Sequence, residues 1–223
     1  MRSIRRSVLI LFSLVALLAL AVAAPGAGAR PADAAAGAPE NRQAFHDTMR
    51  KLWEDHITWT RLFIVSKATL GDDLPDIGPT VDRLLQNQTD IGNAIAPFYG
   101  AEAAGELTSL LEVHILTAAD ILTAAKARDT EATNAAIAAW YANAHDIAVF
   151  LNALNPSNWP LEELDAMMTE HLDLTLVEAV ARLERRYGDD VAAYEDIHLQ
   201  ILEMADMLSD GIIAKFPQKF AGP

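Results

Sequence analysis

Three histidines at near-equal intervals have the clearest chemical potential in this sequence of 223 residues. His56, His114 and His171 each lie on the apolar face of a predicted helix, 58 and 57 residues apart. Neutral imidazoles are common ligands of zinc and similar divalent ions, and three of them leave a fourth position open. If the three helices bring these rings together, we expect a divalent metal site.

Each histidine is followed, about thirty residues later, by a helical segment with two polar residues three apart. A carboxylate or amide bonded to one ring nitrogen fixes the imidazole tautomer and leaves the other nitrogen free for a metal. The carboxylates among these residues are therefore candidate co-ligands or orienting partners. The third repeat differs from the other two, because it has glutamate where they have asparagine. The pairs are Asn87 and Asp90, Asn143 and Asp146, and Glu203 and Asp206.

Two other interpretations of this pattern remain open. Each histidine could simply be bonded within its own helical hairpin, so that the polar layer fixes helix register in a structural or partner-binding envelope protein. A metal-activated water beside a carboxylate would instead make the protein a metal-dependent hydrolase. The separation of the three imidazoles distinguishes a shared ion from separate hydrogen bonds.

Other chemistry receives less support from the sequence. Glu195 and His198 have the spacing of a di-iron carboxylate pair, but no second Glu-x-x-His is present. The chain has no cysteine, which excludes a thiol nucleophile. It also lacks a Gly-x-Ser-x-Gly elbow. Arg61 is a candidate buried partner for an acid such as Asp90. These features favour a non-enzymatic protein.

The elements that position the histidines are predicted to be helices. Apolar residues recur at steps of three and four in each segment, and none shows the alternation of a strand. The fold class is therefore all-α, a six-helix antiparallel bundle built from three repeated helical hairpins. The predicted helices cover about Asn41 to Leu70, Pro79 to Ala96, Ala101 to Ala127, Thr130 to Leu154, Pro160 to Tyr187, and Asp189 to Ile212, with Pro217 as the final stop.

The N-terminus has the three parts of a secretory signal. Arg2, Arg5 and Arg6 precede an apolar run from Val8 to Ala24, and the small residues 27–29 suit cleavage. We therefore predict a signal peptide over residues 1–29, a flexible leader over 30–40 and a helical bundle domain over 41–223. The mature protein is expected to be secreted or periplasmic.

The charge of the chain limits its partners. Acidic residues outnumber basic ones by 31 to 17, which gives a formal net charge of −14. Such a surface repels nucleic acid and anionic lipid. We expect no nucleic-acid partner and, after signal cleavage, no membrane; an envelope protein partner is compatible with export.

Three segments resemble a family of secreted bacterial all-helical proteins of unknown function. They are residues 52–61, 87–95 and 204–212, which read LWEDHITWTR, NQTDIGNAI and MADMLSDGI. The resemblance extends over residues 41–220 and implies export and a helical fold, but no reaction. The sequence thus predicts a secreted, non-enzymatic bundle that binds a divalent metal or a small ligand at a central polar layer.

Overall fold

A computed structural model of the chain describes residues 41–221. These residues form five α-helices and one short 3₁₀ helix, and no strand occurs among them. The all-α class is confirmed. The predicted signal peptide and leader lie outside the described residues. The helices are α1 (Arg42–Lys67), α2 (Ile77–Ala127), α3 (Thr130–Leu154), α4 (Leu161–Leu183) and α5 (Tyr187–Lys215), followed by the 3₁₀ helix Pro217–Lys219.

Side-chain caps define the start of two of these helices. The side chain of Asn41 accepts hydrogen bonds from two free backbone N–H groups in the first turn of α1. Asp129 accepts one in the same way at the start of α3. Such caps replace the partners that the first helical N–H groups lack. They explain why both helices begin within one residue of the predicted positions.

The prediction of six separate helices is not confirmed, because α2 covers both the second and the third predicted helix. The predicted turn over residues 97–100 is reduced to Gly100, the one non-helical residue within α2, with φ 88° and ψ 168°. This backbone conformation is open to glycine and strained for other residues. Pro97 is tolerated three residues before the break.

The two arms of α2, residues 77–99 and 101–127, nevertheless lie against each other. A Cβ atom added to Gly92 would come within 2.0 Å of Thr108 Oγ1 and 2.7 Å of the Ala104 carbonyl oxygen. Residues 92 and 108 would be about 24 Å apart along a straight helix. The chain therefore reverses at Gly100. By length and composition α2 could cross a membrane, but here its arms pack within the bundle.

The helices pack in a closed circuit. α1 packs against α2 and α5, α3 against α2 and α4, and α4 against α5. A larger apolar cluster contains Trp53 and Leu111, and a smaller one contains Phe63 and Leu84. The larger cluster extends past the histidines on two helices, to Ile57 on α1 and to Ile121 on α2.

The first turn of α5 buries an acid in place of an apolar residue. Val191 in this turn is 58% exposed. The inward position of this first turn belongs to Asp190, which is fully buried. An ion-pair cluster described below explains why an acid is held there.

Candidate functional site

The three predicted histidines meet in one buried layer. His56 comes from α1, His114 from the second arm of α2 and His171 from α4, and each is 5% exposed or less. The ring centre of His171 lies 5.8 Å from that of His56 and 6.5 Å from that of His114. The sequence therefore identified three side chains that the fold brings together from distant parts of the chain.

An asparagine fixes the tautomer of His114. Asn143 Oδ1 lies 3.0 Å from His114 Nδ1, and Asn143 Nδ2 donates to the Leu110 carbonyl at 3.1 Å. Because the amide nitrogen must face the carbonyl, the amide oxygen faces the ring and accepts from His114 Nδ1–H. The Nε2 atom of His114 therefore carries the lone pair.

A glutamine does the same for His171. Gln200 Oε1 lies 3.2 Å from His171 Nδ1, and Gln200 Nε2 donates to the Met167 carbonyl at 3.0 Å. This corrects the third predicted repeat, because Gln200 rather than Glu203 takes the place of Asn143. Gln200 and Asn143 each stand 29 residues after their histidine. That equal separation was the signal in the sequence, whereas the shared aspartate spacing was misleading.

The first repeat has only half of this arrangement. Asn87 Nδ2 donates to the Leu52 carbonyl at 3.0 Å, and Leu52, like Leu110 and Met167, lies four residues before the histidine of its repeat. However, Asn87 Oδ1 accepts from Gln88 Nε2 at 3.2 Å instead of facing the ring. His56 Nδ1 and Gln88 Oε1 are buried without a hydrogen-bond partner among residues 41–221.

Burial keeps all three imidazoles neutral. Loss of hydration lowers the pKa of His114 to about 3 and that of His171 to about 4. The pKa of His56 falls well below its usual value, first through burial and then through its two neighbouring histidines, while Gln88 partly opposes the shift. Neutral imidazole is the form that binds a metal ion.

The four predicted carboxylates lie elsewhere. Asp146 and Glu203 are exposed, and Asp90 is partly exposed. Asp206 forms an ion pair with Arg50 at the surface. Residues 41–221 contain no group of three or more His, Cys, Asp or Glu with the spacing of a metal site. The three histidines share one layer, but they too lie outside the spacing of a metal site.

The space around the layer is small and apolar. One cavity of about 20 Å³ lies beside Trp53 and Ile91, and one of about 30 Å³ lies beside Thr60 and Trp140. A cavity of this size holds one or two water molecules. None of the three histidines lines either cavity, and the lining side chains are almost all apolar, so both cavities are too small for an organic substrate.

The sequence did not predict the partners of Arg61. Its Nη1 atom lies 2.5 Å from Glu178 Oε1 and 2.8 Å from Asp190 Oδ1, and Arg182 Nη1 lies 3.2 Å from Asp190 Oδ2. Both acids are almost fully buried. The hypothesis that Arg61 pairs with Asp90 is therefore wrong. A long-range pairing of this kind has no periodic signature in the sequence.

The second candidate pair of the sequence is not assembled either. His198 Nε2 lies 2.8 Å from Glu54 Oε1 on α1, while Glu195 is exposed. His198 therefore links α5 to α1 at the surface and does not belong to a two-metal site.

Comparison with protein-family models, curated proteins and solved structures finds no match to this chain.

Proposed function

We propose that this protein is an exported, non-enzymatic helical bundle that binds a divalent metal ion, with zinc as the first candidate, through Nε2 of His56, His114 and His171. One observation carries the proposal. The amides of Asn143 and Gln200 hold Nδ1–H of two histidines, so their Nε2 lone pairs are free. No hydrogen bond to Nε2 of any of the three histidines occurs among residues 41–221.

The residues fit a metal in their chemistry more closely than in their spacing. Metal-binding histidines usually donate their other N–H to an orienting acceptor, and Asn143 and Gln200 supply such acceptors. Rings sharing a tetrahedral ion would have centres about 5 Å apart, given metal–nitrogen bonds of ~2.0–2.1 Å. The observed 5.8 and 6.5 Å are larger, so binding requires the rings to move inward.

We also propose that the bundle consists of three copies of one helical hairpin. α1 pairs with the first arm of α2, the second arm with α3, and α4 with α5. In each pair, an amide on the second member donates to the carbonyl four residues before the histidine of the first member. Three copies of a histidine-bearing hairpin are a simple way to assemble three equivalent ligands. This repeat supports one shared site.

The same hydrogen bonds favour a second candidate function. A layer in which each amide bonds the facing helix also fixes helix register, as buried polar groups can. The protein would then be a structural or partner-binding envelope protein. The cavities beside the layer hold no organic substrate, so no observation favours the metal-dependent hydrolase.

The metal content of the protein, purified without a histidine tag, tests the proposal. The chelator-treated protein is titrated with zinc, copper, nickel and ferrous ions, and bound metal and Tm are measured. We expect one ion per chain and a higher Tm, because a free metal concentration of 100 times Kd adds about 2.7 kcal/mol to the free energy of unfolding. His114→Gln and His171→Gln should abolish both effects.

His145→Gln is the matched control, because His145 is exposed and bonds Asp165 rather than the layer. This variant should bind the ion like the unaltered protein. If the unaltered protein takes up no ion and its Tm ignores all four metals, the metal proposal fails. A loss of stability in His114→Gln would then support the register function.

Export is tested separately by N-terminal sequencing of secreted protein, which should begin at Arg30.

A further inference from the structure

A basic pocket lies at the end of the bundle where α1, α2 and α4 terminate. It is open and has a volume of about 410 Å³. No acidic residue lines it, although the sequence has 31 acidic residues against 17 basic ones. This is a local reversal of the charge of the protein. Its charged and aromatic lining consists of Lys126, Arg128, Arg182, Arg185 and Tyr187.

Two of these arginines have a backbone conformation that normally belongs to glycine. Arg128 has φ 60° and Arg185 has φ 63°, and each follows the end of a helix. Left-handed positions at helix ends are usually glycine, because a Cβ atom is strained there. Within the described residues 41–221, the other two positive φ angles belong to glycines, Gly71 and Gly100. Arginine at both strained positions beside one pocket indicates a role for the side chains.

The two left-handed arginines are also the cations of the pocket that no acid neutralises. Lys126 Nζ lies 2.7 Å from Asp73 Oδ1, and Arg182 Nη1 lies 3.2 Å from Asp190 Oδ2. Neither left-handed arginine has an ion pair within residues 41–221. Basic side chains at helix C-termini are favoured by the helix dipole, which accounts for Lys126 and Arg182. That small gain does not explain why arginine replaces glycine at two strained positions.

We propose that the basic pocket binds a phosphate-bearing organic ligand through the guanidinium groups of Arg128 and Arg185. A guanidinium presents a planar fork of donors that matches the oxygens of a phosphate group. Tyr187 is 53% exposed and Leu70 is 80% exposed, and both line the pocket. They supply apolar surface for the rest of the ligand. The phosphate could belong to a soluble phosphomonoester or to a lipid headgroup, since both offer the same oxygens.

Calorimetric titration of the purified protein with inorganic phosphate and phenyl phosphate tests this site. We expect saturable binding, tighter for phenyl phosphate, that weakens with added salt because the pocket is open. Arg128→Gly and Arg185→Gly should each weaken binding about tenfold, and the double variant about a hundredfold, for a loss near 1.4 kcal/mol each. Their Tm should stay equal or rise, because glycine relieves the left-handed strain.

Arg186→Ala is the matched control, since Arg186 neighbours Arg185 but pairs with Glu184 and Asp189 outside the pocket. It should bind phenyl phosphate like the unaltered protein. Sedimentation with neutral vesicles and with vesicles containing phosphatidic acid identifies the source of the phosphate. Binding to the acidic vesicles alone, lost in the double glycine variant, would assign a lipid headgroup. The proposal is overturned if no probe binds saturably, or if the double glycine variant binds as tightly as the unaltered protein.

Discussion

The bundle buries polar groups in two regions by opposite means. In the histidine layer, neutral imidazoles bond amides 29 residues away, within a pair of neighbouring helices. In the ion-pair cluster, Arg61 on α1 joins Glu178 and Asp190, which are 117 and 129 residues away. The layer is uncharged and bonded locally, except at His56 Nδ1 and Gln88 Oε1, whereas the cluster holds charges that connect distant helices. Local bonds orient two of the three imidazoles, and long-range ion pairs suit closure of the bundle.

The two regions also respond to pH in opposite directions. The histidines have folded pKa values below their usual 6.5, so the layer is fully stable above about pH 6.5 and loses stability as pH falls. Burial raises the pKa of Glu178 to about 7, although Arg61 opposes the shift. Its stabilising contribution is complete below its usual value of 4.5 and is lost as pH rises toward 7. Three histidines outweigh one glutamate, so the layer sets the acid limit of the fold.

Acidification should therefore have the largest effect. A histidine that is neutral in the folded protein and protonated in the unfolded chain lowers the free energy of unfolding by about 1.4 kcal/mol for each unit that the pH falls. We expect the free energy of unfolding to fall by roughly 4 to 6 kcal/mol between pH 6.5 and pH 4.5, because Glu178 offsets about 2 kcal/mol of the loss from the histidines. Urea unfolding followed by circular dichroism at a series of pH values measures this change.

His114→Gln is the control for that measurement, because it removes one titrating group from the layer. Its stability should fall less steeply with acid, by about one proton in slope. A profile that is flat between pH 4.5 and 6.5 would contradict neutral buried histidines. So would a variant whose slope equals that of the unaltered protein.

Removing the central cation of the ion-pair cluster should have the next largest effect. Arg61→Met leaves Glu178 and Asp190 buried with only Arg182, and uncompensated buried charge costs about 3 kcal/mol or more. Urea unfolding at pH 7 measures the loss. The matched control is Arg50→Met, which breaks the exposed pair with Asp206 and should cost less than about 1 kcal/mol. Equal losses in the two variants would show that burial does not strengthen the dependence on Arg61.

Much of the fold could be predicted because helices leave a local record in the sequence. The steps of three and four residues, the Asn41 and Asp129 caps and the Pro217 stop all act within a few residues. The six-helix count is not confirmed because the break at Gly100 occupies a single residue. The sequence shows a proline and a glycine there, but not how sharply the chain can turn. Packing of Gly92 against Thr108 permits the tight reversal.

The site was only partly predictable for a related reason. The three histidines could be predicted because they recur at near-equal intervals on the apolar faces of similar helices. If the helices are copies of one another, burial of one histidine implies burial of the others. Their partners depend on the relative register of two helices, and a shift of three residues exchanges Gln200 for Glu203. The ion-pair cluster and the basic pocket depend on contacts between distant helices or turns. Neither follows from periodicity.

The smallest expected effect separates the first repeat from the third. Gln200 is bonded at both ends of its amide, to His171 and to the Met167 carbonyl, whereas Gln88 Oε1 is buried and unpartnered within residues 41–221. Gln200→Leu leaves His171 Nδ1–H and the Met167 carbonyl without their side-chain partner, and should lower the free energy of unfolding by about 2 kcal/mol. Gln88→Leu removes an oxygen that is already unsatisfied, which partly offsets the lost bonds from its Nε2 atom to the Leu84 carbonyl and to Asn87 Oδ1, so it should cost only about 1 kcal/mol. Urea unfolding of both variants at pH 7 makes the comparison. A large loss in Gln88→Leu would mean that Gln88 does hold His56, and that all three histidines are fixed by amides for the same task.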